Sequence, residues 1–238
     1  MANSTILSLV QSFCREYGLS VPTALQGSSD AGALQMRELL RSTGEEIWAR
    51  TNWQKCARTA SWISVAGSAQ GNVDTLFPES LSHIIPQTFW DRTARLAVAG
   101  PLSDFNWQTN AAYGLSTPSY FYRISNNQLQ MQSSMPAGHT LSLIYKTRNW
   151  IQSGASVVTE FVADSDTCLF PDALMKKGLR AFWLRIKQMP HRLEFEAFED
   201  ALSREAATNT VAPVLSLDAR GSQGTPGILI PLGNWMQP

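Results

Sequence analysis

The 238-residue chain has few of the residues that usually mark a reactive or metal-binding site, and it has few charges. Its three cysteines and three histidines lie too far apart in sequence for a disulfide framework or a zinc motif. Charged residues make up only 16% of the chain, and the net charge is zero. A uniformly basic nucleic-acid-binding protein is therefore excluded, and the scarce cysteines favour a reducing compartment.

The sequence also lacks long apolar runs and the common catalytic motifs. No run approaches the ~18 residues of a membrane helix, and the N-terminal segment has no basic start of a secretory signal. Nucleophile-elbow, P-loop, metalloprotease and dinucleotide-binding motifs are all missing from it. We therefore expect a soluble protein that is not an enzyme and needs no cofactor or metal.

Helical periodicity marks both ends of the chain. Apolar residues recur at three-to-four spacing over residues 4–17 and again over residues 30–53. Pro171 suits the start of a third helix, and its apolar stripe contains Met175, Leu179, Phe182, Trp183, Ile186 and Met189. A fourth helix is expected over residues 192–207. Two helix pairs are thus predicted, one at each end.

The middle of the chain has the pattern of β-structure. Prolines recur from residue 57 to about residue 163, and short alternating apolar runs lie between them. Asn126 and Asn127 suit a two-residue hairpin turn, because asparagine tolerates positive φ angles. Residues 119–149 are expected to form a three-strand meander.

These patterns together predict an α+β fold with three parts. The two helix pairs, residues 1–56 and 168–210, are expected to pack together as a helical bundle. An antiparallel β domain, residues 57–167, is inserted between them, and residues 211–238 form an extended C-terminal tail.

The tail is apolar and almost uncharged, with Asp218 and Arg220 as its charged residues. Three prolines exclude one continuous helix within it. An extended apolar segment can dock by adding a strand to the edge of a sheet, so we expect the tail to bind another subunit. The docking residues predicted are Ile228, Leu229, Ile230, Leu232 and Trp235.

Two groups of charged residues are candidate sites with more than one interpretation. Lys176, Arg180 and Lys187 form a basic strip on the predicted third helix, which either faces DNA or an interface or is simply solvated. Asp164 and Asp166 either bind a cation or shape a turn that leads into the helix. The turn is the favoured interpretation.

Several motifs, taken in their order along the chain, resemble one protein family. They are WARTNW (48–53), LFPESL (76–81), GPLS (100–103) with Trp107, the block over residues 118–150, and DSDTCLFP (164–171). In this order they resemble the head-to-tail adaptor proteins of tailed bacteriophages, which are called tail tubular protein A in short-tailed phages.

The resemblance implies a structural virion protein. Such adaptors form a ring, usually of twelve copies, beneath the portal, with a helical body and a β domain that faces the tail. The implied partners are the portal, the tail nozzle or tail tube protein and further copies of the chain, with transient non-specific contact to the genomic DNA in the channel. The implied location is the virion neck, after assembly in the host cytoplasm, with no membrane partner.

Two other classes of function remain open from the residues alone. A carbohydrate-binding β domain would use exposed aromatic residues on one face of a sheet, and Tyr120, Tyr122 and Trp150 are candidates. A hydrolase would use scattered carboxylates such as Asp164 and Asp166.

Overall fold

The structure is a computed structural model that describes residues 3–113 and 120–209. Its α-helices are α1 (Ile6–Glu16), α2 (Ala31–Arg50), α3 (Val73–Leu76), α4 (Asp104–Tyr113), α5 (Asp172–Ile186) and α6 (Arg192–Asn209). Its strands are β1 (Ala57–Ile63), β2 (Gly67–Asn72), β3 (Leu81–Ile84), β4 (Trp90–Asp91), β5 (Leu96–Ala99), β6 (Tyr120–Ser125), β7 (Gln128–Met135), β8 (Thr140–Thr147), β9 (Ile151–Ser153), β10 (Ser156–Val158) and β11 (Thr167–Cys168). Among the helices in these ranges, none is both long and apolar enough to span a membrane.

The helices predicted at both ends of the chain are present, and local capping explains where two of them begin. The Thr5 side chain accepts a hydrogen bond from the backbone N–H of Ser8 at the start of α1. Asp30 accepts one from Ala33 at 2.9 Å and so caps α2. Each cap satisfies a backbone donor that has no partner inside the helix.

Most of the strands belong to one large mixed sheet that curls into a half-barrel. Its eight described strands follow the order β1-β8-β4-β5-β6-β7-β2, and β3 pairs with β8 beside this path. The pairs are antiparallel except for β5 and β6, which run parallel. Strand β8 is central, and it is buried at most of its positions.

The predicted fold class is wrong. The protein is β-rich and is built around the curled mixed sheet, not around a helical bundle that carries an inserted antiparallel domain. A second sheet, of order β10-β9-β11, contributes to the same core as the helices at the chain ends. The parallel β5–β6 pair also rules out a purely antiparallel β domain.

The predicted three-strand meander is only half right. The hairpin between β6 and β7 is confirmed, because Asn126 and Asn127 have φ angles of 51° and 58° at its turn. Strand β8, however, does not pair with β7 and is paired with β1, β3 and β4. The buried backbone of β8 needs hydrogen-bond partners on both edges, which the end strand of a meander does not have.

The described residues form two separate hydrophobic cores. The first is shared by α1, α2, α5, α6 and the second sheet, and it includes Ile6, Leu40, Ile47, Trp150, Ile151, Phe170, Leu179 and Phe198. The second lies inside the curled sheet and includes Phe77, Phe89, Tyr122, Leu129, Leu141, Leu143 and Tyr145. The domain boundaries drawn from the sequence remain a prediction.

A buried lysine joins the two cores. Lys146 in β8 is 3% exposed, and its Nζ donates hydrogen bonds to the carbonyls of Trp48 at 2.7 Å and Thr51 at 2.8 Å. These carbonyls belong to the C-terminal end of α2, where a cation is favourable. The Nζ also lies 4.1 Å from the centre of the Trp48 ring, and burial lowers the pKa of Lys146. We call this contact the junction.

Candidate functional site

The two carboxylates proposed as a cation site are both bonded to the backbone. Asp164 accepts hydrogen bonds from the N–H groups of Leu25 and Gln26, which hold the loop between α1 and α2. Asp166, only 1% exposed, accepts from Val162 and Ala163 within its own loop. The described ranges contain no cluster of three or more histidine, cysteine, aspartate or glutamate residues that could hold a metal ion. Both carboxylates stabilise turns.

The aromatic residues considered for carbohydrate binding do not form a platform. Tyr122 is 2% exposed and belongs to the second core, whereas Trp150 is 2% exposed and belongs to the first. The Trp150 ring stacks on Phe170 with a centroid distance of 5.8 Å. Tyr120 is half-buried against the second core. Two of the three rings therefore pack inside the protein, in different places.

Ser64, Asp91 and His139 lie close together in the structure, although no motif links them in the sequence. His139 Nδ1 is 2.6 Å from Oδ2 of Asp91, which is completely buried. The Ser64 hydroxyl donates to the carbonyl of Pro136 and accepts from the backbone N–H of His139. The hydroxyl is thus engaged by backbone groups and not by the imidazole, unlike the nucleophile of a catalytic triad. The cluster fastens the β7–β8 turn to the rest of the sheet.

The three residues of the basic strip have different surroundings. Arg180 lies 2.6 Å from Glu16 and so ties α5 to α1. Lys187 is exposed, with its Nζ 4.6 Å from the centre of the Trp183 ring. Lys176 is half-buried on the same helix. Lys187 is the most exposed of the three, and Lys176 and Arg180 are partly buried.

The turn between α5 and α6 carries a cluster of exposed apolar side chains. Ile186, Met189 and Leu193 are 53%, 50% and 80% exposed. We call residues 185–193 the hairpin tip. The apolar stripe predicted for this helix includes Ile186 and Met189, but the structure leaves that end of the stripe uncovered. Arg185 and Lys187 are also exposed there and give the tip a basic surround.

A second exposed apolar pair lies on the curled sheet. Ile63 and Val65 are 60% and 55% exposed at the end of β1 and just beyond it. Strand β1 begins at Ala57, which pairs with Lys146 at the junction, and it ends at Ile63, which pairs with Thr140. We call Ile63 and Val65 the β end. The β end thus lies at the end of β1 that is away from the junction.

The hairpin tip and the β end both lie away from the junction. The C-terminal end of α2 contacts β8 at the junction, whereas residues at the N-terminal end of α2 line a cavity together with Trp183 near the end of α5. Helix α2 has 20 residues and is about 30 Å long. The hairpin tip, which directly follows α5, is therefore about one helix length from the junction.

The cavity beside Trp183 has a volume of about 210 Å³. It lies between the end of α1, the loop after it, the start of α2 and α5. Its lining residues are Cys14, Leu19, Ser20, Pro22, Asp30, Gly32, Gln35, Met36 and Trp183. We call it the groove.

No protein-family model matches this chain, and no curated protein sequence is similar to it. The candidate sites above therefore depend on the geometry alone. The docking residues predicted in the tail, Ile228 to Trp235, lie outside the described residues.

Burial of two thiols predicts how stability depends on pH. Burial raises the pKa of Cys56 from 9.0 to about 11 and that of Cys168 to about 12. The unfolded chain releases these protons at lower pH than the folded protein does, so the folded state loses stability as pH rises above 9. We expect a loss of about 1.4 kcal/mol per pH unit for each thiol between pH 9 and their folded-state pKa values.

Urea unfolding at several pH values up to about 10 tests this expectation, and it stops there because tyrosine and lysine titrate above that pH. A Cys56→Ala/Cys168→Ala variant is the control and should show a flatter profile. If both proteins lose stability equally, the thiols do not cause the effect.

Proposed function

We propose that this chain is a structural subunit that joins two partners, as a head-to-tail adaptor of a tailed bacteriophage does. It would form a ring, of twelve copies as in the resembling family, between the portal and the tail nozzle or tail tube protein. The observation that supports the proposal is the pair of exposed apolar surfaces, one on each core and each remote from the junction. Clustered apolar residues on a surface are typical of protein interaction sites.

The two surfaces suggest an orientation for the proposed adaptor. The resembling family turns its β domain toward the tail, so the β end would contact the tail component and the hairpin tip would contact the portal. The exposed Arg185 and Lys187 would then border the portal interface and could meet carboxylates there. The predicted docking residues of the tail segment would add a second contact with the portal or with a neighbouring copy.

The charge distribution suits a channel that DNA passes through. The net charge of the chain is zero, and Arg180 of the basic strip is neutralised by Glu16. A strongly basic channel would bind the phosphate backbone and slow the passage of the genome. Contact with DNA would therefore be transient and would depend on few cations, Lys187 among them.

Negative-stain electron microscopy with the portal of the same phage tests the proposal. We expect the free protein to be a monomer or weak oligomer, and we expect rings on the portal. A Met189→Asp/Leu193→Asp variant should keep the melting temperature, because both side chains are exposed, but should no longer decorate portals.

The matched control changes the other surface. An Ile63→Asp/Val65→Asp variant should decorate portals normally and should fail to recruit the tail component. Normal decoration by the hairpin-tip variant would contradict the assignment of that surface. A wild-type protein that never binds portals would contradict the proposed function itself.

A further inference from the structure

The groove is an apolar site that the described residues leave open. Its floor is formed by the side chains of Cys14, Met36 and Trp183, and Leu19 and Pro22 stand at its edge. Its volume of about 210 Å³ is below the ~300 Å³ at which pockets for small ligands and cofactors begin. The groove therefore suits one or two large apolar side chains better than a cofactor.

The chain carries a segment with the matching chemistry. Residues 221–238 contain no charged residue, and the stretch from Ile228 to Trp235 is mainly apolar. We propose that this stretch of the same chain binds in the groove, with the Trp235 side chain against Met36 and Trp183. An uncharged segment can enter an apolar groove without burying an unpaired ion, which would be costly.

The position of α6 makes binding within one chain possible. Helix α6 ends at Asn209, whose carbonyl accepts a hydrogen bond from Gln54 just beyond the C-terminal end of α2. The groove lies at the N-terminal end of α2, about 30 Å from the C-terminal end of that helix. The nineteen residue steps from Asn209 to Ile228 reach about 60 Å when extended. Half of that reach is enough.

Attachment to the same chain also favours the groove over partners in solution. A short tether gives an effective concentration in the millimolar range, which far exceeds the micromolar concentrations of typical experiments. The segment of one copy should therefore occupy its own groove in the free protein. This inference does not depend on the adaptor function. If the chain is an adaptor and the segment also binds in the groove, Trp235 must leave the groove before a partner can bind it.

Cys14 is 1% exposed but lines the groove, so an occupied groove should suppress the local opening that exposes its thiol, whereas Cys56 and Cys168 lie elsewhere in the first core. The test measures alkylation of each thiol by mass spectrometry in the full-length protein. In Trp235→Ala we expect Cys14 to react about tenfold faster than in the wild type. A wild-type groove that is free about one-tenth of the time would react at about one-tenth of the rate of a groove that is always free. Cys56 and Cys168 should be unchanged.

A matched pair of loop variants changes the groove instead of the segment. Ser20 is exposed and lines the groove, whereas Thr23 is exposed in the same loop and does not. Ser20→Lys should accelerate Cys14 alkylation as Trp235→Ala does, and Thr23→Lys should not. The acceleration should be independent of protein concentration, because the contact is within one chain. Disappearance of the wild-type protection on dilution would mean that a second copy supplies the segment, and would overturn the inference.

A second measurement is needed if all three thiols react only when the whole protein unfolds, because alkylation would then not report on the groove. The indole N–H resonance of Trp183, assigned with Trp183→Phe, should shift in Trp235→Ala and return when a peptide of residues 221–238 is added at millimolar concentration. Ser20→Lys should prevent that return. Identical Trp183 resonances in the wild type and in Trp235→Ala would overturn the inference whatever the portal-binding result.

Discussion

We expect Trp183→Ala to lower the free energy of unfolding by about 3–5 kcal/mol. Trp183 is 7% exposed in the first core, and its ring contacts Phe13 edge to face at a centroid distance of 5.9 Å. Alanine would leave a cavity where α5 meets α1, and the contact between Lys187 and the ring would also be lost. Urea unfolding followed by circular dichroism measures the change.

Phe105→Ala is the control for that experiment, because Phe105 is 78% exposed on α4. Its loss should stay below about 0.5 kcal/mol, as for most surface substitutions. A loss below about 1 kcal/mol for Trp183→Ala would contradict the close packing of this ring between α5 and α1.

Gly44→Ala should also destabilise the protein, by about 2–3 kcal/mol, although alanine is the better helix former. A Cβ atom at Gly44 would lie 2.1 Å from a ring carbon of Trp150, and Trp150 is fixed in the first core by its stacking on Phe170. The clash therefore outweighs the ~1 kcal/mol that alanine gains in helix propensity. Thermal and urea unfolding both report the difference.

Two further variants separate the clash from other causes. Gly32→Ala, in the exposed first turn of the same helix, should cost much less, because its Cβ would lie 3.0 Å from the exposed Asp30 carboxylate, which caps the helix and can shift slightly. Trp150→Leu should cost less in the Gly44→Ala background than in the wild type, since the smaller side chain makes room for the Cβ. Additive losses in the double variant would contradict the proposed contact.

The sequence predicted the elements that local patterns determine. The four long helices have apolar periodicity, and Asp30 and Pro171 mark the starts of two of them. The β6–β7 hairpin follows from two asparagines that tolerate positive φ. These signals lie within the element itself, so one sequence is enough to find them.

The fold class was missed because strand pairing is not local. Strand β8 pairs with β1, about 80 residues earlier in the chain, and not with its neighbour β7. The parallel β5–β6 pair likewise has no sequence signature, and α4 lies between these two strands. Helix α4 itself has a weak apolar pattern over DFNWQTNAAY, which hid it within the predicted β region.

The candidate sites show the same limit. A sequence shows that Asp164 and Asp166 are two residues apart, but it does not show that backbone N–H groups already satisfy both carboxylates. Likewise the stripe from Met175 to Met189 is continuous in sequence, and the structure covers only its first part. Whether an apolar residue is buried depends on where the packing partner ends.

The junction links the unfolding of the two cores. If the helical core opens, Lys146 loses the carbonyls of Trp48 and Thr51, and β8 loses the packing on the face opposite to Leu143 and Tyr145. If the sheet opens, the last carbonyls of α2 lose their donor. Each core thus destabilises the other when it opens, so the backbone amides at the end of α2 and in β8 should exchange with solvent deuterium as one cooperative unit.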